Sequence, residues 1–383
     1  MKKEQIHDVA IVGAGPAGCF SAAGLAEKGI DVLVLEREGL PKPAPVCTGV
    51  IGIGAFEEFD LPRDTILAEV KDISLFSPSG KEIVYCPDIP LAYAVDREIF
   101  DDALRNKAEK AGAVFVGEAN CGDFRMCDEW VEISASGFDS PIRARMVVVA
   151  SGYNPLLMRK LGLEKIGDYF EGIQVEASMN DLRQKTEIYV GKSVAPSSFA
   201  WVLPIGPDRA RIGLTTPRNS SYHLSRFLAA ETLCARVKSV TDAVRKPIPW
   251  GKLKRSFADR VLVVGEAAGQ VKSTTHGGLY YGLIGARCAI RTVIEAFDEG
   301  AFSRSVLGRY EERWQNIIGG EIDSGYRLRK YYAMMSDGIV ERLFDISAED
   351  GIMKTVHERA RFDWHGEVIV SLFKHPLLKR FFR

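Results

Sequence analysis

DVAIVGAGPAGCFSAAGLAEKGIDVLVLERE, residues 8–38, decides the fold. Asp8 to Val12 and Asp31 to Leu35 read as strands, and Val9, Ile11, Val32 and Val34 supply the β-branched content of parallel strands buried on both faces. Between them Gly13, Gly15 and Gly18 open a helix over about residues 16–28. Gly13 permits the tight turn, Gly15 lets backbone approach a pyrophosphate, and Gly18 lets helix and sheet pack closely. The helix start aims unpaired N–H groups at that pyrophosphate. Glu36, 18 residues beyond Gly18 at the end of the second strand, suits the ribose hydroxyls of an adenine dinucleotide.

Around this unit lies a chain of 383 residues, 46% hydrophobic and 26% charged, which implies a globular α/β protein of two or three units. A net charge of −1 and a pI near 6.6 offer no basic field, so nucleic acid is not an expected partner. Cys19, Cys47, Cys86, Cys121, Cys127, Cys234 and Cys288 are scattered without a CxxC spacing. They read as reduced thiols in a cytoplasmic protein, with no metal framework. The opening MKKEQIHD lacks the cleavage site of an export signal. Arg287 and Arg291 interrupt LYYGLIGARCAIRTVIEAF, residues 279–297, making it a buried helix and leaving only peripheral membrane contact open.

Beyond Glu36, the prolines of PKPAPVCTGVIG (41–52) exclude a continuous helix and mark a functional loop. DISLFSPSGKEIVY (72–85) predicts a hairpin turning at Ser77 to Gly80; residues 92–117 predict strand, helix, strand, with Asp96 or Arg97 opening the helix and Gly112 closing it. From Cys121 a β-ribbon leads into the apolar strand MVVVA (146–150). Residues 170–216 alternate as a mostly antiparallel sheet, a helical piece is expected over 223–239, and RVLVVGEAAG (260–269) returns to the first sheet. After Gly278 the pattern is helical. The expected division is a discontinuous nucleotide-binding domain (1–65, 92–168, 255–297), a mostly antiparallel substrate domain (66–91, 169–254) and a helical C-terminal region (298–383).

The glycine fingerprint alone does not separate NAD from FAD. Glu266 at a strand-to-turn position, followed by a helix starting after Gly277 and Gly278, points to flavin. The positive helix end would stabilise the negative charge of a reduced ring.

GAGPAG with Glu36, PVCTG (45–49), VDREIFDDAL (95–104), PSSFAWVLP (196–204) and GEAAGQVKSTTHGGLYYG (265–282), in this order, resemble the geranylgeranyl reductase family of FAD enzymes, which share the fold of p-hydroxybenzoate hydroxylase. The resemblance covers roughly residues 8–297. It implies that Gly13, Gly15, Gly18 and Glu36 hold the adenosine half and pyrophosphate of FAD. Cys47, Thr48 and Gly49 would lie along the flavin, Arg97 would reach the cofactor, and Cys121 would offer backbone to the adenine. Glu266 would stand at the ribityl or phosphate region, with Gly278 and Leu279 under the ring. In the substrate strand the matching residues are Pro196, Phe199, Trp201, Leu203 and Pro204. The family's aspartate is here Glu266, its proline Ser273, and the first glycine of its glycine run His276.

Each residue also has a plainer reading. Cys47 is either a small buried hydrophobe or, beside the flavin, a proton donor. His276 either donates a proton or hydrogen-bonds a flavin carbonyl. Arg97 either pairs locally with Glu98 or Asp101 or contacts the cofactor. Phe199 and Trp201 share one strand face, as core or as the wall of an apolar channel. LFKHPLLKRFFR (372–383) is a docked last helix or a basic amphipathic foot on anionic lipid. The resemblance implies reduction of C=C bonds in a polyprenyl chain or lipid by hydride from reduced FAD, supplied by NADPH or a redox protein. The alternatives are an aromatic hydroxylase type of monooxygenase and a flavin-binding electron carrier.

Overall fold

The computed structural model describes residues 5–41, 46–348 and 352–375. Ile6–Val12 (β1), Pro16–Ala26 (α1) and Val32–Leu35 (β2) form the expected βαβ unit. Two short elements follow, Val50–Gly52 (β3) and Ile53–Glu58 (α2), then Ile66–Val70 (β4) and the hairpin Ile73–Phe76 (β5) and Glu82–Tyr85 (β6). Ala92–Val95 (β7), Arg97–Lys110 (α3) and Val114–Val116 (β8) lead to the ribbon Cys121–Met126 (β9), Val131–Ala135 (β10) and Ile142–Val149 (β11). Past Pro155–Lys160 (α4) come the long strands Asp168–Met179 (β12), Thr186–Val190 (β13), Phe199–Pro204 (β14) and Arg209–Thr216 (β15). Helices Ser220–Leu228 (α5) and Glu231–Cys234 (α6) precede Val237–Val240 (β16), Val244–Trp250 (β17), Phe257–Ala258 (β18) and Val261–Val263 (β19). The chain ends in helices Leu279–Asp298 (α7), Arg304–Trp314 (α8), Gly320–Met334 (α9), Asp337–Ala348 (α10), Ile352–Arg359 (α11) and Gly366–Lys374 (α12).

The first sheet runs β18-β19-β11-β1-β2-β8, and its five strands from β19 to β8 are parallel. Parallel strands need cover on both faces, and Val9, Ile11, Val34, Val147 and Val148 are fully buried. Helices α1 and α7 supply one cover. They approach closely because Gly24 faces Ile290 and Gly282 faces Ala17. The second sheet, β16-β12-β15-β14-β13-β5-β6 with β17 on β12, is antiparallel except where β13 meets β5. That pairing brings the hairpin 73–85 onto the sheet of residues 168–250. A third sheet, β3-β7-β4, joins the proline-rich loop to the strand before α3.

Asp96 caps α3, accepting from the N–H of Glu98 and Ile99 at 3.0 and 3.2 Å. The expected helix over 223–239 is cut short. Its end is β16, because Val237, Ser239 and Val240 pair with the open edge of β12, and tertiary pairing outweighs local propensity there. Pro247 and Pro249 are tolerated in β17 because, among the described residues, that strand pairs only with β12. Among the described residues no helix is long and apolar enough to cross a membrane. Most of LFKHPLLKRFFR lies outside the described residues, as do Pro43 and Pro45.

Candidate active site

The fingerprint turn is built as its glycines require. Gly13 has φ +107°, and a Cβ there would stand 2.6 Å from the carbonyl oxygen of Ala150; at Gly18 it would overlap the oxygen of Gly13. Around Gly15, by contrast, no described residue lies within 4 Å of a Cβ position. That gap faces a cavity of about 1050 Å³. The start of α1 has no side-chain cap, so its N–H groups remain for a ligand. Glu36, 4% exposed, accepts from Ala14 N–H at 2.7 Å and Glu38 N–H at 3.2 Å, which fixes its carboxylate at the cavity wall. Cys121 lies on the same wall. Burial and then the Glu36 carboxylate push its thiol up to about 12, so it stays protonated.

The cavity continues from this cradle to the second sheet. Gly13, Gly15, Glu36, Cys47, Thr48, Gly49, Arg97, Cys121, Glu266, His276, Gly278, Leu279, Phe199 and Trp201 all line it. Gly18 stands behind it as a packing residue. Pro196 and Pro204 do not line it. Strand alternation turns Phe199, Trp201 and Leu203 to the cavity side and Pro204, expected as a substrate contact, to the other.

Side chains from the second sheet hold the Cys47 loop. Gln174 Nε2 donates to Cys47 O at 3.1 Å and Arg211 Nη1 to Thr48 O at 2.8 Å and Val95 O at 2.9 Å. Gly49, at φ +73°, must lack a Cβ because one would come within 2.8 Å of Val95 O. Arg97 joins both alternatives weighed for it: it pairs with Asp101 through two hydrogen bonds of 3.0 Å, and it lines the cavity. Burial opposes its charge, but the Asp101 carboxylate outweighs that and raises its pKa.

The carboxylate of Glu266 sits beneath Gly278, which opens α7 with no side-chain cap. Lys246, reaching over from β17, bonds it at 2.7 Å. Burial would lower the Lys246 pKa, yet Glu266 reverses this and raises it. Gln270 accepts from Gly265 N–H at 2.7 Å and donates to Tyr310 at 2.8 Å, which fixes the turn that carries Glu266.

His276 takes a left-handed conformation, φ 62°. Its ring packs edge-on against Phe170 and Phe199, and among the described residues its buried Nε2 has no hydrogen-bond partner. Burial, with Arg329 close by, drives its pKa well below 6.5. Burial disfavours the protonated ring, which weighs against proton donation by His276. The loop that carries it is held from the C-terminal region: Arg329 donates to Thr274 O, and His365 bonds the Thr274 hydroxyl.

Sequence reading missed Gln174, Arg211, Lys246, Lys272, Arg329 and Asp363. Gln174 and Arg211 alternate with apolar neighbours and share their strand face with Glu176 and Arg209, so they read as a polar outer face although both are buried. Lys246 and the C-terminal residues had no signal.

Comparison with known proteins agrees with this geometry. The lycopene cyclase protein family model matches residues 8–317. Digeranylgeranylglycerophospholipid reductase 2 of Methanopyrus kandleri is 30% identical over 97% of this chain and 96% of its own. A geranylgeranyl bacteriochlorophyll reductase-like structure from Thermoplasma acidophilum has a TM-score of 0.85 at 22% identity, covering 98% of both chains. The halogenase PltM in complex with phloroglucinol and FAD has a TM-score of 0.70 at 15% identity, covering 96% of this chain and 90% of its own, and shares the fold. Fold, cradle and relatives together define an FAD-dependent oxidoreductase. Within that class, the chain belongs to the geranylgeranyl reductase family.

Proposed function

We propose that this protein reduces C=C bonds in the polyprenyl chains of a phospholipid, with Cys47 as proton donor. The observation that carries the reading is the continuity of one cavity from the dinucleotide cradle to an apolar wall of Val70, Ile73, Leu91, Ile188, Trp201 and Leu203. The relatives' names supply the substrate class, a digeranylgeranylglycerophospholipid. When bound, FAD would supply the hydride for one alkene carbon, with electrons drawn from NADPH or a redox protein.

The chain's own residues do the rest. An unactivated alkene has no carbonyl to polarise, so the cavity works by placing it and excluding water. Each buried CH₂ contributes about 0.8 kcal/mol, and affinity rises with chain length until the wall is covered. The Cys47 thiol passes its proton to the second carbon. The thiolate left behind faces the Arg97 guanidinium, which Asp101 holds, and solvent restores the proton. Gln174 and Arg211 keep the Cys47 loop in place, and the neutral His276 fills the wall beside Phe199. Gly13, Gly15, Glu36, Thr48, Gly49, Cys121, Glu266, Gly278 and Leu279 are assigned to the cofactor, with Gly18 packing the turn behind them, and Phe199 and Trp201 to the prenyl chain. The division into nucleotide, substrate and C-terminal units belongs to the same proposal, as does peripheral contact with a membrane that delivers the lipid.

The test is anaerobic incubation of chemically reduced enzyme with a geranylgeranyl phospholipid, read by mass spectrometry. Products gain two hydrogens per bond reduced. Cys47→Ala slows product formation about 10²-fold while flavin reduction stays normal. A requirement for dioxygen, with oxygen gained by the product, overturns the reading in favour of a monooxygenase.

A further inference from the structure

The stretch after Phe297 carried no motif, yet its residues Ala360, Phe362, Asp363 and His365 line the cavity. Asp363 stands where three elements meet. Lys272 Nζ lies 2.7 Å from its Oδ1 and 4.4 Å from the ring centre of Phe362. Tyr281 on α7 donates its hydroxyl to Asp363 O at 3.0 Å. The carboxylate rests on Gly52, where a Cβ would overlap Oδ2. Next to it, the N–H groups of His365 and Gly366 donate to Glu321 at 2.9 and 2.8 Å.

The two charged side chains are only 5% and 9% exposed. A buried ion pair is a weak source of stability, because lost hydration consumes most of its attraction and apolar residues of like volume often serve as well. What the pair does supply is a fixed distance. It ties the segment 360–366 to the loop 272–278 and, through Gly52, to the Cys47 loop.

We propose that Lys272 and Asp363 are positioning residues that set the spacing of these two loops and seat the C-terminal segment as the wall that keeps water from the reacting carbons. Both act through the loops they hold. The inference rests on the assignment of both loops to the flavin side of the cavity.

FAD-loaded full-length protein carries the test, as Asp363→Asn, Asp363→Glu and the double variant Lys272→Met/Asp363→Leu. Iodide quenching of flavin fluorescence and thermal unfolding are measured without lipid, kcat and KM with it. Asp363→Asn should raise the quenching constant about threefold and lower kcat about tenfold with little change in KM, since small misplacement at a reacting site is felt steeply. Asp363→Glu should recover much of both. The apolar double variant should regain the unfolding temperature but neither the quenching nor kcat, and it decides the matter alone if Asp363→Asn does not fold. Wild-type quenching and kcat in the double variant would overturn the proposal, reducing the pair to filler. If wild-type protein reduces no prenyl lipid while the variants still differ in quenching, the substrate reading falls and the positioning pair stands.

Discussion

The nucleotide cradle and the wall opposite it are made in different ways. In the cradle, residues 9–36 make almost everything from backbone: a glycine turn, an uncapped helix start and one carboxylate held by two N–H groups. In the wall, side chains far apart in sequence hold the loops, with Gln174 and Arg211 on the Cys47 loop and Arg329, Asp363 and His365 on the loop 272–278. A cradle made of backbone tolerates only changes that leave its turns alone. A wall made of side chains can be retuned residue by residue, which suits the part of the fold proposed to meet the substrate.

The cradle should break hardest. Gly18→Ala places a methyl group against the oxygen of Gly13, where backbone cannot yield as a flexible side chain would. Overpacking of this kind costs about 1–3 kcal/mol or more, and the variant should lose both FAD and thermal stability. Measured FAD content at the wild-type level would contradict the packing reading of Gly18.

Acid should loosen the wall before the cradle. Burial and then Lys272 lower the His365 pKa from 6.5 to about 4. The unfolded chain therefore takes up a proton that the folded site refuses, so the stability held above pH 6.5 drains away as pH falls toward 4. Between pH 7 and pH 5 this linkage is worth about 2 kcal/mol. His276 adds to it in the same direction. Chemical denaturation at the two pH values should show a smaller loss for His365→Asn than for wild type, and an equal loss would remove His365 from the account.

The smallest effect is expected at Pro204. Facing away from the cavity, Pro204→Ala should leave KM for a prenyl lipid within about twofold and stability within about 0.5 kcal/mol. Leu203→Ala, one residue earlier on the lining side, should instead raise KM and cost about 2–5 kcal/mol of stability as a buried truncation. A large KM change at Pro204 would mean that the strand presents its other face to the lipid.

The sequence by itself determined the cradle, because a dinucleotide turn needs glycine at three spacings within one βαβ unit, and those needs are local. Strand and helix order, the Asp96 cap and the Ser77 to Gly80 turn were legible for the same reason: period, caps and turn residues act over a few positions. Only the tertiary structure decided that 237–240 is a strand, since the open edge of β12 supplies its partners. It also turned Pro204 away, left His276 neutral by burying it near Arg329, and set Asp363 on Lys272, 91 residues distant in the chain. Burial, pairing and charge coupling depend on what folding brings within a few ångströms, and sequence separation carries no record of that distance.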